Sequence, residues 1–331
     1  MANILITNRC NRKCPFCFAR LRVNIKGKQS PDYMSRDDVR KVMDFMERSD
    51  DPQLRLLGGE PTLHPDFIEI VTEALARDFH VHVFTNAIMS KKKADFLSEV
   101  PKEKLSLLCN VSHEEIDTEN HRKRKHYALK KLGEKAQVGI TVTSPEFEYQ
   151  YLIDLISEFG LRRHVRVGIA QPIVGYDNSY LEPHLYREAG KGIVKMARSC
   201  IEEGILIGFD CGMTLCMFDE AEIGFLMKNT EGLIMRCDPI IDVGTDLEVW
   251  NCFPLSNVLV SHLDQYETRN KASKTYKKVV APYRVFGCKP ECFTCKHLKR
   301  KQCPGGCLAH AMNSLNKLPP MEVYPEAYEC K

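Results

Sequence analysis

Cys10, Cys14 and Cys17 stand in Asn8-Arg9-Cys10-Asn11-Arg12-Lys13-Cys14-Pro15-Phe16-Cys17, directly behind a short apolar run. Three soft ligands on one loop are a nest for a metal cluster. Each iron of a [4Fe-4S] cluster asks for a thiolate or a substitute, so three thiolates leave one iron open to a ligand that is not protein. A structural zinc would recruit a fourth protein ligand at C-x2-C spacing, and thiols that only fill a core have no reason to cluster. A second candidate turn is Leu56-Leu57-Gly58-Gly59-Glu60-Pro61. Its two glycines allow a close backbone approach to a ligand, and Glu60 can accept from a cationic amine. Thr85, Asn86 and Ser112 put small polar groups at the ends of expected strands, where capping the next loop accounts for them equally well. Nine further cysteines, from Cys211 to Cys307, and then His310 and Cys330 crowd the last third.

The elements that must position these groups follow from periodicity. Short apolar runs at 4–7, 54–57, 80–85, 105–112, 137–143 and 165–170 alternate with amphipathic stretches, the pattern of βα units around a parallel sheet. Ser35 followed by Asp38 opens the first helix, with Val39, Val42, Met43 and Met46 on one face. Pro65 and Asp66 start the next, with Phe67, Ile70, Val71, Ala74 and Leu75 in a stripe. The expected fold is α/β: a partial (β/α)6 barrel over residues 1–209, with its functional face at the carboxyl ends of the strands, then a small cysteine-rich iron–sulfur domain over 210–331.

With 331 residues and 44% hydrophobic content the chain can bury a substantial core. No stretch reaches the roughly 18 apolar residues of a membrane span, and no signal peptide is evident. Fifteen cysteines without an export signal point to free thiols in a reducing compartment, so a cytoplasmic location is expected. The net charge is only +3, and the run His121-Arg122-Lys123-Arg124-Lys125-His126 reads as the solvated face of a helix, so neither nucleic acid nor membrane is an expected partner.

The C-x3-C-x2-C triad with an aromatic at Phe16, followed by Gly58-Gly59-Glu60-Pro61, resembles the radical S-adenosylmethionine (SAM) enzymes. The resemblance implies that Cys10, Cys14 and Cys17 hold a [4Fe-4S] cluster whose open iron chelates SAM, with Gly58, Gly59 and Glu60 at the methionyl amine. It implies Thr85, Asn86 and Ser112 near the ribose and carboxylate, Arg122 or Arg124 on the carboxylate, and Gln171 near adenine. The tail, with Cys237, Cys252, Cys292, Cys295, Cys303, Cys307 and Cys330, resembles the SPASM extension that carries two auxiliary [4Fe-4S] clusters. Leu247 stands where that pattern has glycine, and seven residues rather than five precede Cys303. Carried over by position, Cys237, Cys252 and Cys307 would bind the nearer cluster, with Cys216, Cys211 or an open iron as the fourth site. Cys292, Cys295, Cys303 and Cys330 would bind the farther one. Residue by residue, the alternative is a zinc ribbon of Cys292, Cys295, Cys303 and Cys307. Trp250 and Phe253 are expected to shield Cys252 from water.

The resemblance further implies a flavodoxin or ferredoxin reductant and oxidative modification of a ribosomally made peptide. A separate recognition protein would substitute for the N-terminal recognition domain that relatives often carry, since this chain begins nine residues before its first ligand. A sugar or aminocyclitol dehydrogenase is the alternative, and a noncatalytic iron–sulfur carrier a third class. No substrate acid or base is assignable.

Overall fold

The computed structural model describes residues 2–25, 30–233 and 237–315. Seven parallel strands follow one another in chain order: β1 (Ala2–Leu5), β2 (Gln53–Leu57), β3 (His80–Thr85), β4 (Leu105–Asn110), β5 (Ala136–Val142), β6 (His164–Ile169) and β7 (Leu206–Phe209). Between them run α1 (Arg36–Arg48), α2 (Phe67–Ala76), α3 (Lys91–Glu99), α4 (Glu119–Leu132), α5 (Gln150–Phe159) and α6 (Tyr186–Glu202). The six expected βα units are present, and the parallel sheet is that of a partial barrel. β7, four residues long, adds a seventh strand beyond the expected six. β4 stops at Asn110, short of the expected end, which frees Ser112 for the loop above it.

Local signals account for the helices. The Ser35 hydroxyl accepts from the Asp38 N–H at 3.1 Å, and Val39, Val42, Met43, Phe45 and Met46 of α1 are buried. Asp66 precedes α2 without capping it through its side chain; instead its N–H donates to His64 Nδ1 at 3.0 Å. Gly190 lets α6 press on the turn that follows β7: a Cβ there would lie 1.9 Å from the Met217 carbonyl oxygen.

The tail adds α7 (Glu220–Asn229), β8 (Ile241–Val243), β9 (Glu248–Asn251), β10 (Ser261–His262), α8 (Arg269–Val280), α9 (Lys296–Lys299) and α10 (Leu308–Leu315). β8 pairs in parallel with β1, Ala2 against Ile241 and Ile4 against Val243, and β9 and β10 extend it antiparallel. One sheet therefore runs β10-β9-β8-β1-β2-β3-β4-β5-β6-β7, and one apolar core runs with it from Ile4 and Leu56 to Val249 and Tyr276. Leu247, in the β8–β9 turn, takes φ 61. That left-handed conformation costs a leucine about 1 kcal/mol, offset by burying its side chain. Among the described residues no helix is long and apolar enough to cross a membrane.

His82 belongs to the partly exposed set of β3, alternating with buried Val81 and Val83. Its Nδ1 meets the Ser106 hydroxyl at 2.5 Å, while Nε2 is buried without a partner. Burial first, then the charges of His80 and Arg55, lower its pKa to about 4. The unfolded imidazole takes a proton near pH 6.5 that the folded one refuses, so its contribution to stability falls as pH falls through that window. Urea unfolding of wild type and His82→Gln should diverge by about 2 kcal/mol between pH 6.5 and pH 5, wild type losing more. A pH-independent gap would contradict the assignment.

Candidate active site

The cysteine loop has almost no secondary structure of its own and is held by its surroundings. Asn8 Nδ2 donates to the Pro31 carbonyl at 3.0 Å and to the Thr245 hydroxyl at 2.8 Å. The Asn24 amide brackets Cys10, accepting from its N–H at 3.0 Å and donating to its carbonyl at 3.1 Å. From the other side the turn after β2 closes on it: Gly59 N–H donates to Thr7 O at 2.9 Å and Glu60 N–H to Arg9 O at 2.8 Å. A Cβ on Gly59 would lie 2.3 Å from Arg9 O and 2.7 Å from Cys10 Cβ, and one on Gly58 would lie 2.6 Å from Thr7 O. The close approach that these glycines permit is to the cysteine loop itself.

Burial pushes the Cys10 thiol up to about 12, with nearby Glu60, Cys17 and Cys14 adding to it. Cys14 and Cys17 are raised chiefly by burial as well. Bare, the three thiols keep their protons, and a cationic cluster would convert them to thiolates and release those protons. Phe16 lies half-buried between two of them.

Glu60 is fully buried. Its Oε1 accepts from the Thr62 N–H and hydroxyl, at 3.2 and 2.6 Å, and from the Thr85 hydroxyl at 2.7 Å. Oε2 accepts from the Asn86 N–H at 2.7 Å. Asn86 Nδ2 then donates to Asn11 Oδ1 at 2.7 Å. Glu60, Thr85 and Asn86 thus join the ends of β2 and β3 to the cysteine loop, and only Oε2 keeps a lone pair for a further donor.

Neither of the arginines expected on α4 is its buried cation. Arg122 is exposed, and Arg124 Nε donates to the Met89 carbonyl at 3.1 Å. The buried cation is Lys125, whose side chain is 0% exposed; its Nζ donates to Asp117 Oδ2 at 2.7 Å and to Ser112 O at 3.1 Å. Arg12, from the cysteine loop, pairs with the same Asp117 and donates to the Ser112 hydroxyl at 2.6 Å. Two cations share one carboxylate, so a net positive charge is held with little water, and Arg12 Nε has no hydrogen-bond partner. The signal was present: Lys125 lies on the apolar stripe of Ala128, Leu129 and Leu132. Gln171, just past β6, is also buried, and neither its amide nitrogen nor its oxygen has a partner.

In the tail, Cys237, Cys252 and Cys307 share an apolar cluster with Val174, Leu255 and Leu308. Burial raises the Cys252 thiol well above its ordinary value, and Cys307, Cys211 and Cys237 stand near enough to raise it further. Cys211, pushed up to about 12, has Cys237 beside it in turn. Cys211, rather than Cys216, is therefore the thiol that joins this set. Cys216 lies with Thr214, 3.3 Å from its hydroxyl, on the side of Cys288 and Cys303. The reason is topological: the four residues of turn between the two cysteines carry them to different sides. Cys295 caps the short helix α9 by position, and Cys330 lies outside the described residues.

Among the described residues no three His, Cys, Asp or Glu side chains converge as the ligands of one metal ion would. Thiolates on a four-iron cluster stand wider, because each bonds a different iron. Trp250 and Phe253, expected at Cys252, pack with Leu5, Ala19 and Cys17, between the tail and the cysteine loop.

Comparison with known proteins matches residues 4–137 to the Radical SAM superfamily. The 7,8-dihydro-6-hydroxymethylpterin dimethyltransferase of Methanocaldococcus jannaschii is 35% identical over 114 residues, 33% of this chain and 21% of that protein. The PqqA peptide cyclase of Bradyrhizobium diazoefficiens is 29% identical over 106 residues, 32% of this chain and 26% of that one. The chain thus spans about a fifth to a quarter of the length of these relatives. Among solved structures, Streptococcus suis SuiB bound to precursor peptide SuiA superposes with a TM-score of 0.63 at 16% identity, over 93% of this chain and 71% of that one, which shows a shared fold. The cysteine loop, the glycine turn that closes on it and the matched sequence all fall in the same stretch: residues 4–137 match the Radical SAM superfamily.

Proposed function

We propose that the protein is a radical SAM enzyme that oxidatively modifies a side chain of a ribosomally made peptide, with the tail as an electron acceptor. The observation that carries this reading is the gathering of Cys211, Cys237, Cys252 and Cys307 behind Val174, on the loop that continues from Gln171. A SPASM-like arrangement of this kind would place an iron–sulfur electron sink beside the site, a use that a simple carrier or a zinc scaffold does not have. A [4Fe-4S] cluster on Cys10, Cys14 and Cys17 together with SAM would supply the radical chemistry, by one-electron cleavage to a 5'-deoxyadenosyl radical.

The chain's own residues have separable roles. Gly58 and Gly59 fix the cysteine loop. Glu60 Oε2 offers one remaining acceptor site for the methionyl amine. Ser112, Arg12 and Lys125 offer the cofactor carboxylate a positive pocket, in place of Arg122. Gln171, with an unused donor and acceptor, is placed to orient adenine or substrate. Trp250 and Phe253 exclude water behind the loop. The PqqA peptide cyclase and the peptide-bound SuiB favour a peptide, with a separate recognition protein and a flavodoxin or ferredoxin reductant as partners. The pterin dimethyltransferase favours a small molecule as the second reading. The division of the chain at 209/210 into barrel and tail is part of this proposal.

Anaerobically reconstituted protein should hold about twelve irons per chain with matching sulfide, falling to about eight in the Cys10/Cys14/Cys17 triple alanine variant, which should form no deoxyadenosine. Well-loaded wild type that makes no deoxyadenosine under strong reductant would sink the proposal. About eight irons falling to four would favour the small-molecule reading.

Lys125→Met leaves Arg12 and Asp117 as a neutral pair, so the pocket loses its net charge. The Kd for SAM should rise roughly tenfold to a hundredfold, whereas exposed Arg122→Ala should change it by less than about twofold. Equilibrium dialysis of both variants decides between the two cations.

A further inference from the structure

The inner face of the sheet is polar, and none of the roles given above uses its charges. Strand register puts Asn3, Arg55, His82 and Ser106 side by side across β1 to β4, and Gly139, Arg166 and Gly208 side by side across β5 to β7. Their neighbours along the strands, such as Leu54, Val81, Val83 and Val165, point the other way, into the apolar core that the helices cover. Arg55 and Arg166, both half-buried, therefore face the hollow of the barrel. Its curvature brings their charges together: burial first, then Arg166, lowers the Arg55 pKa. Arg166 has a counter-ion. Its Nε donates to Asp210 Oδ1 at 2.6 Å, and Asp210 lies against β6, where a Cβ on Gly168 would come 3.0 Å from its Oδ2. Arg55 has none. Its Nη2 reaches Gln53 Oε1 at 3.3 Å, and its Nε is buried without a partner. Asp51 favours the Arg55 charge but is itself paired with Arg269, 3.3 Å away. Beside Arg55 in register, His82 Nε2 is likewise buried and unpartnered, and the ring is neutral above about pH 4.

We propose that Arg55, with Arg166 facing it, receives a carboxylate of the substrate in the hollow of the barrel. A guanidinium drawn out of water without a counter-ion is unfavourable, and its planar fork of donors matches a carboxylate edge to edge. Charge selects among anions. Asp210 already offsets Arg166 and His82 is neutral, so one positive charge is left over, which one carboxylate cancels and a doubly charged phosphate would overshoot. The position suits a substrate as well. Arg55 lies two residues, about 7 Å of strand, below Leu57, where β2 ends and the turn that carries Glu60 begins. A group anchored there leaves the rest of the molecule directed up toward the cysteine loop. For a peptide, the segment that enters the barrel then carries an Asp or Glu side chain or ends in its own carboxylate. Calling the ligand a substrate rests on the enzyme proposed above, whereas the anion site rests on geometry alone.

Full-length protein is reconstituted anaerobically as wild type, Arg55→Met, Arg55→Lys and the exposed control Arg122→Ala, with circular dichroism as a check on folding. Thermal unfolding is followed at constant ionic strength against increasing N-acetylglutamic acid α-amide (a side-chain carboxylate), N-acetylglycine (a C-terminal one), N-acetylglutamine amide (neutral) and inorganic phosphate, because an anion held only by the folded protein raises Tm. One of the two carboxylate probes should raise the Tm of wild type and of Arg122→Ala, which identifies the source, and the neutral probe should not. The apparent Kd should rise at least about tenfold in Arg55→Met, with Arg55→Lys between, since it keeps the charge and loses the fork. No response of wild type to either carboxylate, a larger response to phosphate, or an apparent Kd in Arg55→Met within about twofold of wild type overturns the site. Deoxyadenosine formation is assayed on the same preparations. Wild type that makes deoxyadenosine without any carboxylate response overturns this inference and leaves the enzyme standing. An Arg55-dependent response in protein that makes no deoxyadenosine under strong reductant leaves the anion site and overturns the naming of its ligand as substrate.

Discussion

The site depends on one close contact between two backbones. Gly59 lies so near Arg9 and Cys10 that no side chain fits at its position, and from there the N–H groups of Gly59 and Glu60 reach the cysteine loop. The loop itself lacks helix or strand, so it takes its shape from that contact, from the Asn24 bracket and from Asn8. Glu60 then transmits the constraint sideways. A carboxylate buried this deeply is tolerated only because several donors surround it, and those donors belong to the ends of β2 and β3. Two strand ends and the cysteine loop are thereby fixed against one another before any ligand arrives, which is the preorganisation that a reactive site requires.

Charge is handled in two opposite ways at the same mouth. The thiols are kept neutral by burial and by one another, so binding a cluster is coupled to proton release. Arg12, Asp117 and Lys125 stay paired instead, although Lys125 and Asp117 are almost completely removed from water. Losing Asp117 would leave two buried cations uncompensated, whereas losing either cation would leave a neutral pair. The cysteine loop contributes to both arrangements, since Arg12 stands between Cys10 and Cys14.

Periodicity made the repeating βα units legible, and spacing made the first triad legible. Groups that meet across the fold were not. Lys125 sat within a run of basic residues and looked solvated, although its stripe with Ala128 and Leu129 marked it as inward-facing. Cys211 and Cys216 are equivalent on paper, and only the turn after β7, pressed by α6 at Gly190, separates their surroundings. Gly58 and Gly59 were legible as a close approach, but its object was the protein's own chain. Leu247 shows the converse: the conformation expected of glycine is kept, and a buried leucine adopts it.

The pairing of β8 with β1 has a consequence for how barrel and tail can be separated. β1 carries the cysteine loop at its carboxyl end, and it is an interior strand only because β8 covers one of its edges. If the chain were cut between the two parts, β1 would become an edge strand with a row of unpaired N–H and C=O groups, open to pairing with another molecule. The tail is therefore a structural wall of the barrel as well as an addition to it, and the barrel taken alone would tend to associate through the strand that leads into its own active-site loop.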